Sequence, residues 1–386
     1  MVPVPHRGLR AAGRALLPAL CSGLILAGAC AQETGPIKIG VSANFADVNM
    51  APMLDGARLA VAEINAKGGI NGRLLELVER DDREDPDSAV VVATELYHDP
   101  GIVAVLGNGF SGLTLAAAPV YNGGDNPVVQ ISPTASAPAV SQAGPYTFRM
   151  CPSDLAHGGA LARWARDGLG FQRGVVLYGN DDYGRGVRQS FMTEFAAIDG
   201  QILTADPYLG SPPEVGPYLD RIVRSGRAEF ILLAGYLDEA EYILAEARSR
   251  GITIPFMGGD GIERIERQGA LAEGTYVTAA YMSLIDTPRN NQFVESWAVA
   301  YPGQAPPNLS AAGAYDAVYL VSQAIAEVGT DRTAIRDAIA AVGTTRPAFQ
   351  GVLGTIGFDA NGDVTAPVVY VGVVRNGVVE LAGENE

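Results

Sequence analysis

Two apolar runs of this chain end in small hydroxyl residues and then turn helical. Residues 102–106 lead into Gly107-Asn108-Gly109-Phe110-Ser111, and residues 128–131 lead into Ser132-Pro133-Thr134-Ala135-Ser136. Short, largely apolar runs bounded by glycine, proline and serine are what strands buried on both faces of a parallel sheet require. In open α/β sheets the ligand crevice lies beyond the carboxyl ends of such strands. Hydroxyls and free N–H groups at the starts of the following helices favour an anion, so a small carboxylate is the first ligand class to expect.

The alternation extends in both directions. Strand-like residues 37–43 and 74–79 come first, and helical periods at 50–66, 87–98 and 111–121 separate the four strands. In the first of these helices Leu54, Ala57, Val61 and Ile64 recur at threes and fours, giving one buried face, and Gly68-Gly69 stops it. This is a βαβ series, hence a parallel sheet covered on both sides. The pattern restarts after Tyr146-Thr147-Phe148-Arg149: strand-like residues 175–178, 202–207, 230–233 and 254–257 alternate with helical segments at 155–168, 184–197, 215–225 and 238–250. Helical segments at 290–301 and 311–328 follow, then two strand-like runs, 368–374 and 378–381, around an Asn376-Gly377 turn. The expected architecture is α/β with two Rossmann-like lobes. Residues 32–151 and 282–358 would form the N-terminal lobe, residues 152–281 and 359–386 the C-terminal lobe, with crossings near Cys151, Tyr281 and Phe358. Several crossings make a hinge, and a hinge makes a cleft that can close.

Arg7, Arg10 and Arg14 precede an apolar run over residues 15–27 and then Ala29-Cys30-Ala31, the pattern of a signal peptide over residues 1–31. The run is too short to span a membrane stably, so export is expected, with Cys30 as an alternative lipidation site. Removal of this segment leaves 24 basic against 43 acidic residues, a net charge near −19. Such a surface argues against nucleic acid as a partner. Of the 3 cysteines only Cys151 then remains, which gives no internal disulfide and reads as a small buried hydrophobe.

Several motifs invite other chemistries and fall short of them. Gly107 to Gly112 fits G-x-G-x-x-G after a strand, but the next strand ends Gln130-Ile131-Ser132, without the acid that would hold a ribose. Asp359-Ala360-Asn361-Gly362-Asp363 begins like a calcium loop, but Val364 stands where glycine is needed and Tyr370 where a bidentate glutamate is needed. A polar turn is the expectation there. His6, His98 and His157 lie far apart, no G-x-S-x-G elbow occurs, and the pairs Asp81-Asp82 and Asp181-Asp182 read as caps and turn formers. No nucleophile, base, metal or cofactor site assembles, so a binding protein is expected rather than an enzyme. The polar and aromatic residues left at strand ends are Ser111, Thr134 and Ser136 in the first lobe and Tyr183, Tyr236 and Asp260 in the second. Asp260 also reads as a helix N-cap, and Tyr183 as packing at a helix start.

Over nearly the whole chain after residue 31 the sequence resembles the periplasmic binding proteins for branched-chain amino acids, the type I solute-binding proteins of ABC importers. The resemblance rests on Ile37-Lys38-Ile39-Gly40, Gly56-Ala57-Arg58, Ile64-Asn65-Ala66-Lys67-Gly68-Gly69-Ile70 with Gly72, Asp81-Asp82, Asp85-Pro86 and Ala89-Val90. It continues through Ile131-Ser132-Pro133, Phe148-Arg149, Pro152-Ser153-Asp154, Tyr183-Gly184 with Gly186, and Met257-Gly258-Gly259-Asp260-Gly261.

The resemblance implies that Ser111 gives its hydroxyl to a ligand carboxylate, with the Ser-Pro loop adding backbone groups within Thr134, Ala135 and Ser136. It further implies that Tyr183 and Tyr236 face the ligand and that Asp260 meets its ammonium. The implied ligand is a small amino acid, branched-chain or otherwise aliphatic; an amide, urea or aromatic acid, or a sensory role, is the alternative. The implied partner is an ABC permease in the inner membrane, served by a monomer. The loop Asn44-Phe45-Ala46-Asp47-Val48-Asn49, which in this family helps shape the side-chain pocket, is shorter than is common and lacks the usual Ser-Gly or Gly-Pro stretch. Glu84 and Phe110 stand where some members carry a disulfide.

Overall fold

The computed structural model describes residues 1–5, 8 and 35–382; Arg7, Arg10, Arg14, the apolar run after them and Cys30 lie outside the described residues. The fold belongs to the second of the two units into which the chain divides, residues 35–386.

Five parallel strands build the first sheet. β1 (Ile37–Ala43), β2 (Leu75–Asp81), β3 (Ile102–Gly107), β4 (Val129–Ser132) and β5 (Thr147–Arg149) stand in the order β2-β1-β3-β4-β5. The crossovers are α1 (Ala51–Ala66), α2 (Pro86–His98) and α3 (Ser111–Asn122). β3 is buried at every position, as its unbroken apolar run requires between two helical layers.

The second sheet repeats the scheme. After α4 (Asp154–Arg163) come β6 (Arg173–Gly179), α5 (Asp182–Ala197), β7 (Gln201–Tyr208), α6 (Gly216–Ser225), β8 (Phe230–Ala234), α7 (Leu237–Ser249), β9 (Phe256–Gly258) and β10 (Tyr276–Ala279). The chain then returns to the first sheet. α8 (Pro288–Ala300), α9 (Leu309–Val328) and α10 (Arg332–Ala340) share one core with Ile39, Leu106 and Ile131. A hairpin of β11 (Phe349–Gly351) and β12 (Gly354–Ile356) follows, and β13 (Tyr370–Arg375) and β14 (Val378–Leu381) add antiparallel to the β10 edge. The second sheet reads β14-β13-β10-β9-β8-β6-β7.

α9 can lie against α1 because both carry small residues where they cross. A Cβ on Gly56 would stand 2.1 Å from the Ala311 carbonyl oxygen, so only glycine permits this approach. Two buried arginines tie distant segments together. Arg332 donates to the carbonyls of Ile102, Tyr97, Asn126 and Asp99 at 2.8 to 3.1 Å. Arg149 pairs with Asp363 at 2.7 Å and donates to the carbonyls of Ser136 and Ala137. The turn at 359–363 is thus a polar turn: Asp359 accepts the amides of Asn361 and Asp363, and Asp363 serves Arg149.

β5, β10, α10 and the β11–β12 hairpin go beyond the elements expected from sequence. These strands have three or four residues and the helix nine, too few for periodicity to separate from a loop. The helical segment expected over 155–168 is an α-helix only to Arg163, and its last turn, Trp164–Gly168, is a π-helix. Cys151 is fully buried, and burial pushes its thiol upward, away from thiolate chemistry.

Candidate functional site

Among the parallel strands of each sheet there is a point where the strand order reverses, between β1 and β3 in the first and between β6 and β8 in the second. Loops leaving such neighbouring strands diverge to opposite faces and open a crevice. One cavity of about 320 Å³ is lined from both points: by Asn49 and Met50 after β1, Phe110 and Ser111 after β3, Thr134 after β4, Tyr183 after β6, Tyr236 after β8 and Asp260 after β9. That volume suits a small organic ligand.

On the first-sheet side Ser111 opens α3, where helix N–H groups and the dipole favour an anion. Its Oγ accepts the Ala137 amide at 3.2 Å, which leaves the hydroxyl proton for a ligand. Thr134 donates its hydroxyl to the Gly109 carbonyl at 2.6 Å, holding the two loops together. Below them a buried network positions the β3 loop: Asn108 donates to Ser42 and Asp82, and its own carbonyl accepts from Thr114 and Ser132.

On the second-sheet side Tyr183 donates to Asp260 Oδ1 at 2.9 Å and accepts the Gly261 amide at 2.7 Å. A Cβ on Gly261 would fall 2.7 Å from the Tyr183 oxygen, so the glycine makes room for this arrangement. The Tyr183 ring stacks on Tyr236 with centroids 4.9 Å apart, and Phe110 from the first-sheet side meets Tyr236 edge-on at 5.0 Å. Burial, with Asp260 nearby, pushes the Tyr183 hydroxyl well above its ordinary value, so it stays a donor. Behind Asp260, His157 Nε2 stands 3.5 Å from Oδ2, and its Nδ1 lies 3.0 Å from Thr278 Oγ1. Burial and the Asp260 charge push the neighbouring Asp154 carboxyl well upward.

The third wall is the start of α9. Asn308 caps that helix by accepting the Ala311 amide, and donates to the Asn49 carbonyl at 2.9 Å. Asn49 in turn donates its side-chain amide to the Glu263 carbonyl at 3.2 Å, a bond from the β1 loop to the segment after β9. The walls therefore offer hydroxyl and helix-start donors on one side and a hydrogen-bonded carboxylate on the other. Among the described residues no histidine, cysteine, lysine or arginine lines the cavity.

Residues 36–378 match the periplasmic binding protein family. The chain belongs to that family. Leucine-specific-binding protein of Salmonella typhimurium is 31% identical over 246 residues, 63% of this chain, and the matched stretch spans 65% of that relative's length. Among solved structures, an ABC transporter substrate-binding protein of Desulfitobacterium hafniense in complex with Leu aligns at a TM-score of 0.77 and 29% identity, over 90% of this chain and 99% of that one. The branched-chain amino acid transporter substrate-binding protein of Streptococcus pneumoniae, in complex with isoleucine, aligns at 0.79 and 28% identity, over 89% and 98%.

Within this periplasmic binding protein the structure brings Ser111, Thr134, Tyr183, Tyr236 and Asp260 to one cavity. Ala135 and Ser136 are not among the lining residues; both are buried behind the wall. The Ala135 amide is taken by Ser132 Oγ, and Arg149 and the Asp154 amide bind the Ser136 carbonyl, drawing that stretch inward. Asp260 does not cap a helix: Gly259 is the N-cap of its short 3-10 turn, without a side-chain bond. Asp181 does cap α5, through the Gly184 amide, and Asp82 belongs to the Asn108 network. Sequence reasoning missed Glu263, Asn308 and Ser310 as wall residues, and it left His157 isolated. Asn308 had a usable signal, an N-cap residue before an apolar helix.

Proposed function

We propose that the protein captures a small α-amino acid between its two lobes and delivers it to an ABC permease. The observation that carries this reading is the pairing of unlike walls around one cavity: Ser111 at the start of α3 for the carboxylate, and Asp260 held by Tyr183 for the ammonium. The relatives and solved neighbours named for leucine and isoleucine support an amino acid, with an aliphatic side chain as their contribution to the reading. Residues 32–151 and 282–358 form one lobe and residues 152–281 and 359–386 the other; the leader exports the chain, as a monomer, to the periplasm.

Magnitudes favour enclosure by both lobes. A ligand with about nine heavy atoms, at a ceiling of about −1.5 kcal/mol per atom, reaches about −13 kcal/mol. Micromolar binding needs about −8 kcal/mol, more than one open wall supplies. The amino acid docks first by its carboxylate, and closure brings Tyr183, Tyr236 and Asp260 onto its other face. Contacts such as Phe110 with Tyr236 and Asn49 with Glu263 exist only when the lobes meet. The ligand favours that state because only there does it touch both lobes.

The test is a thermal-stability scan of protein stripped of carried-over ligand by one cycle of unfolding and refolding, against amino acids, small amides, urea and aromatic acids. A ligand at about a thousand times its dissociation constant adds about 4 kcal/mol to the state it binds. A rise with α-amino acids is expected. A rise with an amide or aromatic acid alone would keep the fold and overturn the role of Asp260.

A further inference from the structure

We infer that His157, which stands behind the cavity wall, is a positioning residue for the ammonium-binding carboxylate: its Nε2–H holds Asp260 Oδ2 while the Tyr183 hydroxyl holds Oδ1. The inference rests on the amino-acid-binding reading. His157 is fully buried, and the Asp260 side chain is 8% exposed. Nε2 is buried without a hydrogen-bond partner, and the anionic atom within its reach is Asp260 Oδ2 at 3.5 Å, an ion-pair distance. A shift of about 0.5 Å brings that contact to a full hydrogen bond. On the other side of the ring Nδ1 stands 3.0 Å from Thr278 Oγ1. With the Thr278 hydroxyl donating to Nδ1, the ring proton sits on Nε2, the nitrogen beside Asp260.

Two packed helices fix this placement. Asp154 and His157 are three residues apart in α4 and so share one of its faces. A Cβ on Gly158 would stand 2.6 Å from the Phe191 amide nitrogen, so glycine there lets α4 press against α5, the helix that carries Tyr183. His157 and Tyr183 thus come to Asp260 from neighbouring helices, one at each oxygen. Asp154 does not compete with them, because burial and the Asp260 charge push its carboxyl well upward, toward the protonated acid. No lysine or arginine among the described residues lines the cavity, which leaves His157 as the basic side chain beside the carboxylate. A carboxylate held at one oxygen can still swing about that bond. Held at both, it meets an ammonium in a fixed geometry and loses less freedom on binding.

Calorimetry on the stripped full-length protein compares His157→Leu, which removes both ring nitrogens, with His157→Gln, whose side-chain amide restores an N–H donor. The probe is leucine or, where leucine is silent, the α-amino acid giving the largest rise in the thermal scan. His157→Leu should weaken binding about tenfold or more, the size of one hydrogen bond to a charged group, and His157→Gln should recover most of that loss. In an Asp260→Asn background the same His157→Leu change should cost much less. Equal losses in the two variants, or a His157→Leu loss undiminished in that background, would overturn the positioning role. Should His157→Leu fail to fold, NMR of the 15N-histidine-labelled parent protein decides. The His157 signals, assigned by their loss in His157→Gln, should show a proton on Nε2 and should shift when the amino acid is added; a bare Nε2 would overturn the inference. Full affinity in His157→Leu would overturn the positioning role alone and leave the amino-acid reading in place. Binding of none of the α-amino acids by the parent protein would overturn that reading and the role with it.

Discussion

Tyr183 and Asp260 are joined by a hydrogen bond of 2.9 Å in which the tyrosine is the donor, while the same oxygen accepts the Gly261 amide. The two residues therefore fail differently when changed. Asp260→Asn keeps an acceptor for Tyr183 but removes the charge that meets an ammonium in a closed cleft. Affinity for an α-amino acid should fall by one to several kcal/mol, about 1 to 4, with little loss of stability. Tyr183→Phe leaves the Gly261 amide without its acceptor and should lower unfolding free energy by about 1 to 3 kcal/mol. Calorimetry and urea unfolding on both variants separate the effects. Unchanged affinity in Asp260→Asn would remove that residue from the site.

Ser111 is the matching element on the opposite wall. Because its oxygen already accepts the Ala137 amide, its proton is the part left to a ligand. Ser111→Ala should weaken a free amino acid by about 1 to 3 kcal/mol and weaken the corresponding amino-acid amide less, since a charge-assisted bond is lost only in the first case. Titrations of leucine and leucinamide into both proteins make the comparison. Equal losses for the two ligands would place the carboxylate elsewhere.

Much of this geometry is legible in the chain because its causes are local. An apolar run followed by Gly-Asn-Gly-Phe-Ser marks a buried strand and a helix start, which is where Ser111 stands. Gly-Gly-Asp-Gly marks a place where the backbone is crowded, and the crowding partner is Tyr183. The rest depends on contacts between remote segments. Ser136 sits in the right loop, but Arg149 binds its carbonyl and turns it inward. Asn308 and Ser310 reach the cavity because α9 returns to the first sheet and its cap lands on the Asn49 carbonyl. His157 lies beside Asp260 through the packing of α4 near β10, a juxtaposition no spacing encodes.

The α1–α9 contact offers a test of the return itself. With the Gly56 Cβ position 2.1 Å from the Ala311 oxygen, Gly56→Ala must push the helices apart, despite the better helix propensity of alanine. The expected loss is about 1 to 3 kcal/mol of unfolding free energy, the range of core overpacking. The start of α9 forms a cavity wall, so ligand affinity should drop with it. A neutral or stabilising Gly56→Ala in urea unfolding would contradict this packing.

Glu263 ties the site to pH. Burial pushes its carboxyl up to about 8, against the pull of Arg264 and with the push of Asp260 and Glu266; Tyr281 also feels its charge. The folded protein therefore holds a proton that the unfolded chain releases near about 4.3. Between these values the folded state binds more protons than the unfolded one, so this group's contribution to stability falls as pH rises from about 4 to about 8 and is level beyond. Glu263→Gln removes the titration. Relative to the parent protein, the variant should gain on the order of 1 to 3 kcal/mol between pH 5 and pH 8.5 in paired urea unfolding curves. A parallel pH dependence for both proteins would show that Glu263 ionises as easily folded as unfolded, and would take from it the burial on which this expectation rests.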